Sequence, residues 1–310
     1  MTTRTKLFLT GVLFVLGMGW GMTIPLSKLA VSTGYRHFGL IFWQLVIGAV
    51  LMAGISLLRR RRLPVGRKQM RTFLIIALLG TVLPNSASYQ AVTHLPAGVM
   101  SILLSLVPMI SFPIALALGQ DRFSLRRFFG LLAGLAGVSL LILPEASLPD
   151  RSAIWWVPVA MMAGMFYAFE GNYVAKWGTA GMDGIEVLFG ASIVGAVIVF
   201  PLALGSGQWI NPLNPWGIAD WALIGSSVIH VFVYASYVWL VGKAGPVFAV
   251  QVSYLVTGFG VIWAMVLLNE SYSPYIWAAL ALMFFGLVLV QPRPRIPLAA
   301  GPETGETSAT

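Results

Sequence analysis

The chain is a succession of long apolar runs recurring about every 30 residues, each near the ~20 residues that a helix needs to cross a bilayer. Short polar or Gly/Pro breaks separate them. The pattern predicts ten helices, at approximately Leu7–Ala30, Phe38–Leu58, Phe73–Val92, Ala97–Leu118, Leu125–Leu143, Trp155–Ala175, Gly184–Leu204, Ile218–Val241, Val247–Leu268 and Pro274–Val290. A soluble core cannot hide so many of them. Only 9% of the 310 residues are charged, against about 25% in a soluble domain. The expected fold is therefore an all-α membrane protein of ten transmembrane helices, with the lipid bilayer as its first partner. The first run is too long for the core of a signal peptide and lacks a small-residue cleavage site, so it is kept as a helix. With no cysteine, disulfides, thiolate metal sites and thiol chemistry are excluded.

A net charge of +9 has two readings, a nucleic-acid-binding face or a membrane orientation. Distribution by loop decides between them. With an even number of crossings, both termini and alternate loops share one side. That side receives Arg4, Lys6, Arg59 to Arg62, Arg67, Lys68, Arg71, Arg122, Arg126, Arg127, Lys176, Lys243, Arg293 and Arg295; the other receives only Arg36 and Arg151. Lys28, near the end of the first helix, is expected to snorkel to the outer interface. The positive-inside rule puts the crowded side and both termini in the cytoplasm, and no nucleic-acid partner is needed. Arg59 to Arg62 read chiefly as a topogenic anchor. Trp155, Trp156, Trp209, Trp216, Trp221 and Trp277 fall at outer helix ends, as an interfacial belt does. Residues 1–6 read as a cytoplasmic N-terminus, and residues 291–310, rich in Pro, Gly, Thr, Ser and Glu, as a disordered cytoplasmic tail.

The chain also resembles itself. Phe42 and Gly48-Ala49-Val50 align with Phe189 and Gly195-Ala196-Val197, and Ala87-Ser88-Tyr89 aligns with Ala235-Ser236-Tyr237. Leu106-Val107 aligns with Leu255-Val256, Asp121-Arg122-Phe123-Ser124 with Glu270-Ser271-Tyr272-Ser273, and Gly137 with Gly286. These matches stay nearly in register across successive helix pairs, so residues 7–143 and 155–290 read as two five-helix repeats. Five is odd, so the second copy crosses in the opposite sense. Inverted repeats are a signature of secondary transporters, whose sites lie between the repeats near the bilayer midplane.

The ten-helix branch of the drug/metabolite transporter superfamily, the EamA-type exporters, resembles this chain over about residues 5–291. The likeness is carried by Gly19-Trp20-Gly21 with Ser27-Lys28, by Leu95-Pro96-Ala97, by Ser105-Leu106-Val107-Pro108, and by Asp121 and Glu270. More narrowly, the chain looks like aromatic and general amino-acid exporters. The resemblance implies export across a bacterial inner membrane. Many relatives carry an arginine in the second helix where this chain has Trp43-Gln44, and Pro108 is matched in the second repeat by Thr257.

Polar groups in hydrocarbon are costly, so those near the helix centres should face a cavity or another helix. Asn85 and Tyr89 share a face at i and i+4, as do His230, Tyr234 and Tyr237 at i, i+4 and i+7. Tyr167 and Glu170 lie one turn apart, and the repeat sets them opposite Trp20 and Thr23. With Trp43, Gln44, Ser101, Ser105, Gln251 and Tyr254 they form an expected substrate-binding ring, aromatic and amide-rich with little fixed charge. Such a ring suits a zwitterion with a variable side chain; each tyrosine or serine has the alternative of a helix–helix hydrogen bond. Glu170 is either a proton-coupling site or a neutral structural acid; His230 is either a second coupling group or a packed histidine. Asp121 and Glu270 read as loop and helix N-terminal charges rather than ligands. Pro25, Pro84, Pro108 and Pro201 fall inside helices, as hinges or fixed bends. Gly130 and Gly134 read as close packing within the fold, leaving a dimer contact open, although a monomer suffices.

The reading is a secondary transporter for a small-molecule substrate, amino acids first, with drugs or nucleobases as the nearest rival. An intramembrane enzyme lacks its parts: there is no H-E-x-x-H pair, G-x-S-x-G elbow or Walker A loop, and no cofactor or metal is implied.

Overall fold

A computed structural model describes residues 3–145, 147–148, 150–249 and 251–290, and every regular element among them is helical. Eight helices are long and apolar enough to cross a membrane: α1 (Arg4–Val31), α2 (His37–Leu58), α3 (Arg67–His94), α4 (Ala97–Ala117), α5 (Leu125–Ile142), α6 (Arg151–Trp177), α7 (Gly184–Gly205) and α8 (Ile218–Ala244). Two shorter apolar helices follow, α9 (Val252–Leu268) and α10 (Pro274–Val290). The expected tail, 291–310, lies outside the described residues, as do residues 1 and 2.

The helices start and stop where the chain supplies or withholds backbone partners. Asp183 caps α7 through its side chain, which accepts from the amides of Ile185 and Glu186, while Glu186 returns a bond to the Asp183 amide. Gly178 ends α6 and Gly245 ends α8, both at positive φ. Hydropathy located these elements but not all their bounds and breaks. Helix α3 begins at Arg67 rather than Phe73, because nothing in the basic turn before the apolar run breaks a helix. Helix α4 divides into Ala97–Leu104 and Val107–Ala117, where Pro108 cannot donate to the carbonyl of Leu104. The expected helix from Val247 becomes a turn at Pro246–Ala249 followed by α9, with Val250 between them outside the described residues.

Helix α1 packs along α8 and α9, and α6 packs along α3 and α4. Helix α2 lies on α7, α5 on α10 and α4 on α9, while α3 also meets α7 and α8 meets α2. Exchanging α1 to α5 with α6 to α10 maps these contacts onto themselves. Large apolar side chains such as Val15, Val50, Val197 and Phe285 stand exposed around the bundle, a surface that water does not favour and lipid does. Side chains such as Leu40, Ile41, Val157 and Met283 are wholly enclosed.

The α5–α10 pair is closed by glycine. A Cβ on Gly130 would lie 2.9 Å from the Gly286 carbonyl oxygen, and one on Gly286 would lie 2.8 Å from the Gly130 carbonyl oxygen. Backbone therefore meets backbone directly, as small residues permit in membranes. Gly134 faces Leu106 and Met109 of α4. Both members of the small-residue pair on α5 are thus used inside the chain.

Candidate functional site

The helices of the two halves enclose a cavity of about 450 Å³, walled by α1 to α4 and α6 to α9. Neither α5 nor α10 reaches it. All the expected site residues line it except Trp43, Tyr237, Gln251 and Tyr254.

One wall is a chain of side-chain hydrogen bonds. The Tyr167 hydroxyl donates to Asn85 Oδ1 at 2.9 Å, Asn85 Nδ2 donates to Gln44 Oε1 at 3.0 Å, and the Tyr89 hydroxyl donates to the same oxygen at 3.2 Å. Three helices, α6, α3 and α2, are tied together by amides and phenols. Asn85 and Tyr89 share a face of α3 because they are one turn apart, and Gln44 answers both from α2.

The opposite wall is aromatic. Trp20 of α1 donates through Nε1 to His230 Nδ1 of α8 at 3.2 Å. His230 and Tyr234 stack with ring centroids 6.3 Å apart. An Nδ1 that accepts carries no proton, so this bond holds His230 as a neutral ring. Tyr237 backs the wall from outside, its ring 5.4 Å from that of Trp20.

Glu170 is seated differently. Its carboxyl lies against Gly80, at a place where α3 is locally a π-helix, Leu78–Val82. The cause is Pro84. It has no N–H for the carbonyl of Gly80 and its ring crowds that carbonyl, and the Leu83 amide reaches back five residues to Leu78 instead. A Cβ on Gly80 would lie 2.5 Å from Glu170 Oε1. The turn widened by proline, with glycine at its centre, is the notch that admits the carboxyl. Glu170 makes no hydrogen bond or ion pair among the described residues.

Four expected residues sit elsewhere. Trp43 points away from its neighbour Gln44 and donates to the Ile210 carbonyl at 3.0 Å, between α2 and the α7–α8 loop. Tyr254 packs against Phe284 of α10, with centroids 6.3 Å apart, and Gln251 is exposed just before α9. Tyr237 lies behind Trp20 as described. Ser101 and Ser105 line the cavity but bond to backbone carbonyls one turn earlier. Of the prolines, Pro84 and Pro108 sit at helix irregularities, while Pro25 and Pro201 lie in continuous helices. The sequence reading missed Ser88, a cavity-lining residue whose buried hydroxyl has no hydrogen-bond partner among the described residues. Its place in Ala87-Ser88-Tyr89, three residues after Asn85, was the available signal.

At the α3–α4 corner two charges that do not line this cavity are committed to backbone. Lys28 Nζ donates to the carbonyls of Val92 at 2.5 Å, Thr93 at 3.3 Å and Leu95 at 2.9 Å. The Lys28 ammonium thus serves the free carbonyls at the end of α3. Glu270, from the α9–α10 loop, accepts from the amides of Ala97 at 2.8 Å and Gly98 at 3.1 Å and from the Tyr272 hydroxyl at 2.6 Å. It caps α4, as an N-terminal charge. Asp121 accepts from the Arg122 amide and pairs with Arg127.

Sequence comparison agrees with this architecture. The profile of the EamA-like transporter family matches twice, over residues 9–143 and 154–291. An uncharacterized inner membrane transporter of Escherichia coli K12, YedA, is 23% identical over 295 residues, covering 94% of this chain and 92% of its own. A probable terminal-alkyne amino-acid exporter of Streptantibioticus cattleyicolor is 24% identical over 282 residues, covering 88% and 90%. A solved crystal structure superposes with a TM-score of 0.59 over 91% of this chain and 96% of its own, at 18% identity, a likeness of fold. With both halves matched, the chain belongs to the EamA-like transporter family.

Proposed function

We propose that this protein is a secondary exporter of amino acids and similar small metabolites in a bacterial inner membrane, working by alternating access between two inverted five-helix halves. The observation that carries the reading is the position of the cavity: it lies between the two family-matched segments and draws four helices from each. Packing that survives exchange of the halves supports the inverted arrangement, and the loop charges support cytoplasmic termini. The resemblance to an amino-acid exporter supports the substrate class. Glu170, the carboxyl without a partner in the cavity, is the proposed proton-coupling group; His230 is bonded to Trp20 and is the weaker candidate.

Reconstituted protein should carry labelled amino acids into liposomes, and a pH gradient should drive the flux. Glu170→Gln, assayed with substrate raised to offset weaker binding, should retain exchange of labelled for unlabelled substrate while losing the response to the gradient. A response unchanged by the substitution removes Glu170 as the carrier. Flux of drugs or nucleobases with none for any amino acid transfers the site to the rival substrates.

A further inference from the structure

We infer that the cavity selects a zwitterion by both charged ends, with Glu170 as the subsite for its ammonium group and the Gln44 amide with the Ser88 hydroxyl as the subsite for its carboxylate. The inference rests on the export reading and narrows the substrate to a free α-amino acid with neither end modified.

The argument is a count of donors and acceptors. Gln44 Oε1 takes two hydrogen bonds, from Asn85 and from Tyr89. Those bonds fix which way the amide faces, and its NH2 group makes no hydrogen bond among the described residues. Asn85 Oδ1 is taken by Tyr167, and its own amide spends one proton on Gln44. Ser88 Oγ, three residues on along α3, is buried without a partner. In this cluster the amide acceptors are occupied and the donors are left over. That surplus calls for an anion.

The shortage reverses one turn along α6. Glu170 follows Tyr167 by three residues and, among the described residues, accepts no hydrogen bond and has no cation beside it. Among the described residues no lysine or arginine lines the cavity, and Lys28 is committed to the end of α3. Unpaired donors and an unpaired carboxyl both carry a penalty in a low-dielectric space. A lone cation answers only Glu170, and a lone anion answers only Gln44 and Ser88. A zwitterion answers both, with the Tyr167–Asn85 bond lying between its two ends. Its side chain is left to the aromatic wall of Trp20, His230 and Tyr234.

Two analogues that each lack one charged end test this. Labelled L-phenylalanine is bound to the purified protein and competed with 3-phenylpropionate, which lacks the ammonium group, or with 2-phenylethylamine, which lacks the carboxylate. Both should compete at least about tenfold more weakly than L-phenylalanine, because each leaves a polar subsite unfilled. In Glu170→Gln, the handicap of 3-phenylpropionate should shrink toward parity while that of 2-phenylethylamine persists. In Gln44→Leu combined with Ser88→Ala, the pattern should reverse. Native protein that binds either analogue as well as L-phenylalanine overturns the inference and leaves amino-acid export standing. Native protein that neither binds nor moves L-phenylalanine or any other free amino acid overturns the export reading itself. The native comparison decides even where a variant fails to fold.

Discussion

A carboxylate near the middle of a membrane helix costs about 2.5–3.5 kcal/mol or more, so the residue that receives it matters as much as the acid. Here the receiver is Gly80, whose missing side chain leaves room for the Glu170 carboxyl. Gly80→Ala should displace that carboxyl, the mobile end of a flexible side chain, rather than unfold the bundle. Amino-acid binding should fall strongly with little change in melting temperature, and adding Glu170→Asp, one methylene shorter, should restore part of it. Equal binding by Gly80→Ala and native protein would separate Glu170 from the site. Asp183 gives a residue-scale prediction in pH. Partial burial pushes its carboxyl up, but the Arg59 guanidinium at 2.6 Å and the amides of Glu186 and Ile185 outweigh this and hold it below the ordinary carboxylate range. A depressed value means that the stabilisation is present at neutral pH and is lost as pH falls through the folded-state value, below about 4. Both partners are about a third exposed, so the pair is worth under about 1 kcal/mol. Asp183→Asn keeps a good cap and loses the ion pair, so its melting temperature should sit slightly below native at pH 7 and converge with it in acid. Asp183→Ala should lose about 1 kcal/mol more through the cap. Residue identity made most of the cavity legible in advance; direction was harder. Trp43 and Gln44 were both expected in the ring, but adjacent helical residues point about 100° apart and only one can face inward. Ser88 was passed over because its significance lies in having no partner, which sequence does not display.

At the scale of elements, hydropathy reports which segments are apolar and says little about where a helix changes pitch. The π turn in α3 and the division of α4 were signalled only as Pro84 and Pro108, each a missing N–H whose consequence depends on what packs alongside. The α3–α4 corner was likewise half legible. Glu270 was expected as a charge of the loop before α10 and caps α4 across the corner, and the three carbonyls that Lys28 serves at the end of α3 were not foreseen. Together these charges complement the two helix ends that meet at the corner, one negative and one positive. Lys28→Met keeps the apolar stem but leaves those carbonyls without their donor, and should destabilise the protein by about 1–3 kcal/mol. Glu270→Gln can accept on one oxygen only, and should lose about 1 kcal/mol. Melting in detergent measures both. Native-like values for both variants would mean that water serves the corner equally well.

At the scale of the whole molecule, the repeat was visible in sequence as similarity but not as sense, because opposite crossing follows only from counting five helices per half. The absence of cysteine makes that sense directly measurable, since a single introduced thiol reports without background. Arg122 and Ser271 occupy corresponding positions in the two halves, in the α4–α5 and α9–α10 loops, and both are exposed. If the halves are inverted, these equivalent residues lie on opposite sides of the membrane. In intact cells a membrane-impermeant maleimide should label Ser271→Cys and spare Arg122→Cys until the membrane is permeabilised. Labelling of both from one side would make the halves parallel copies and overturn the inverted arrangement. The opposite polarity, with Arg122→Cys labelled from outside, would keep the inversion and reverse the orientation read from the loop charges. The arrangement of the halves and the direction of the charge bias are thus separate claims, and one pair of cysteines tests each of them.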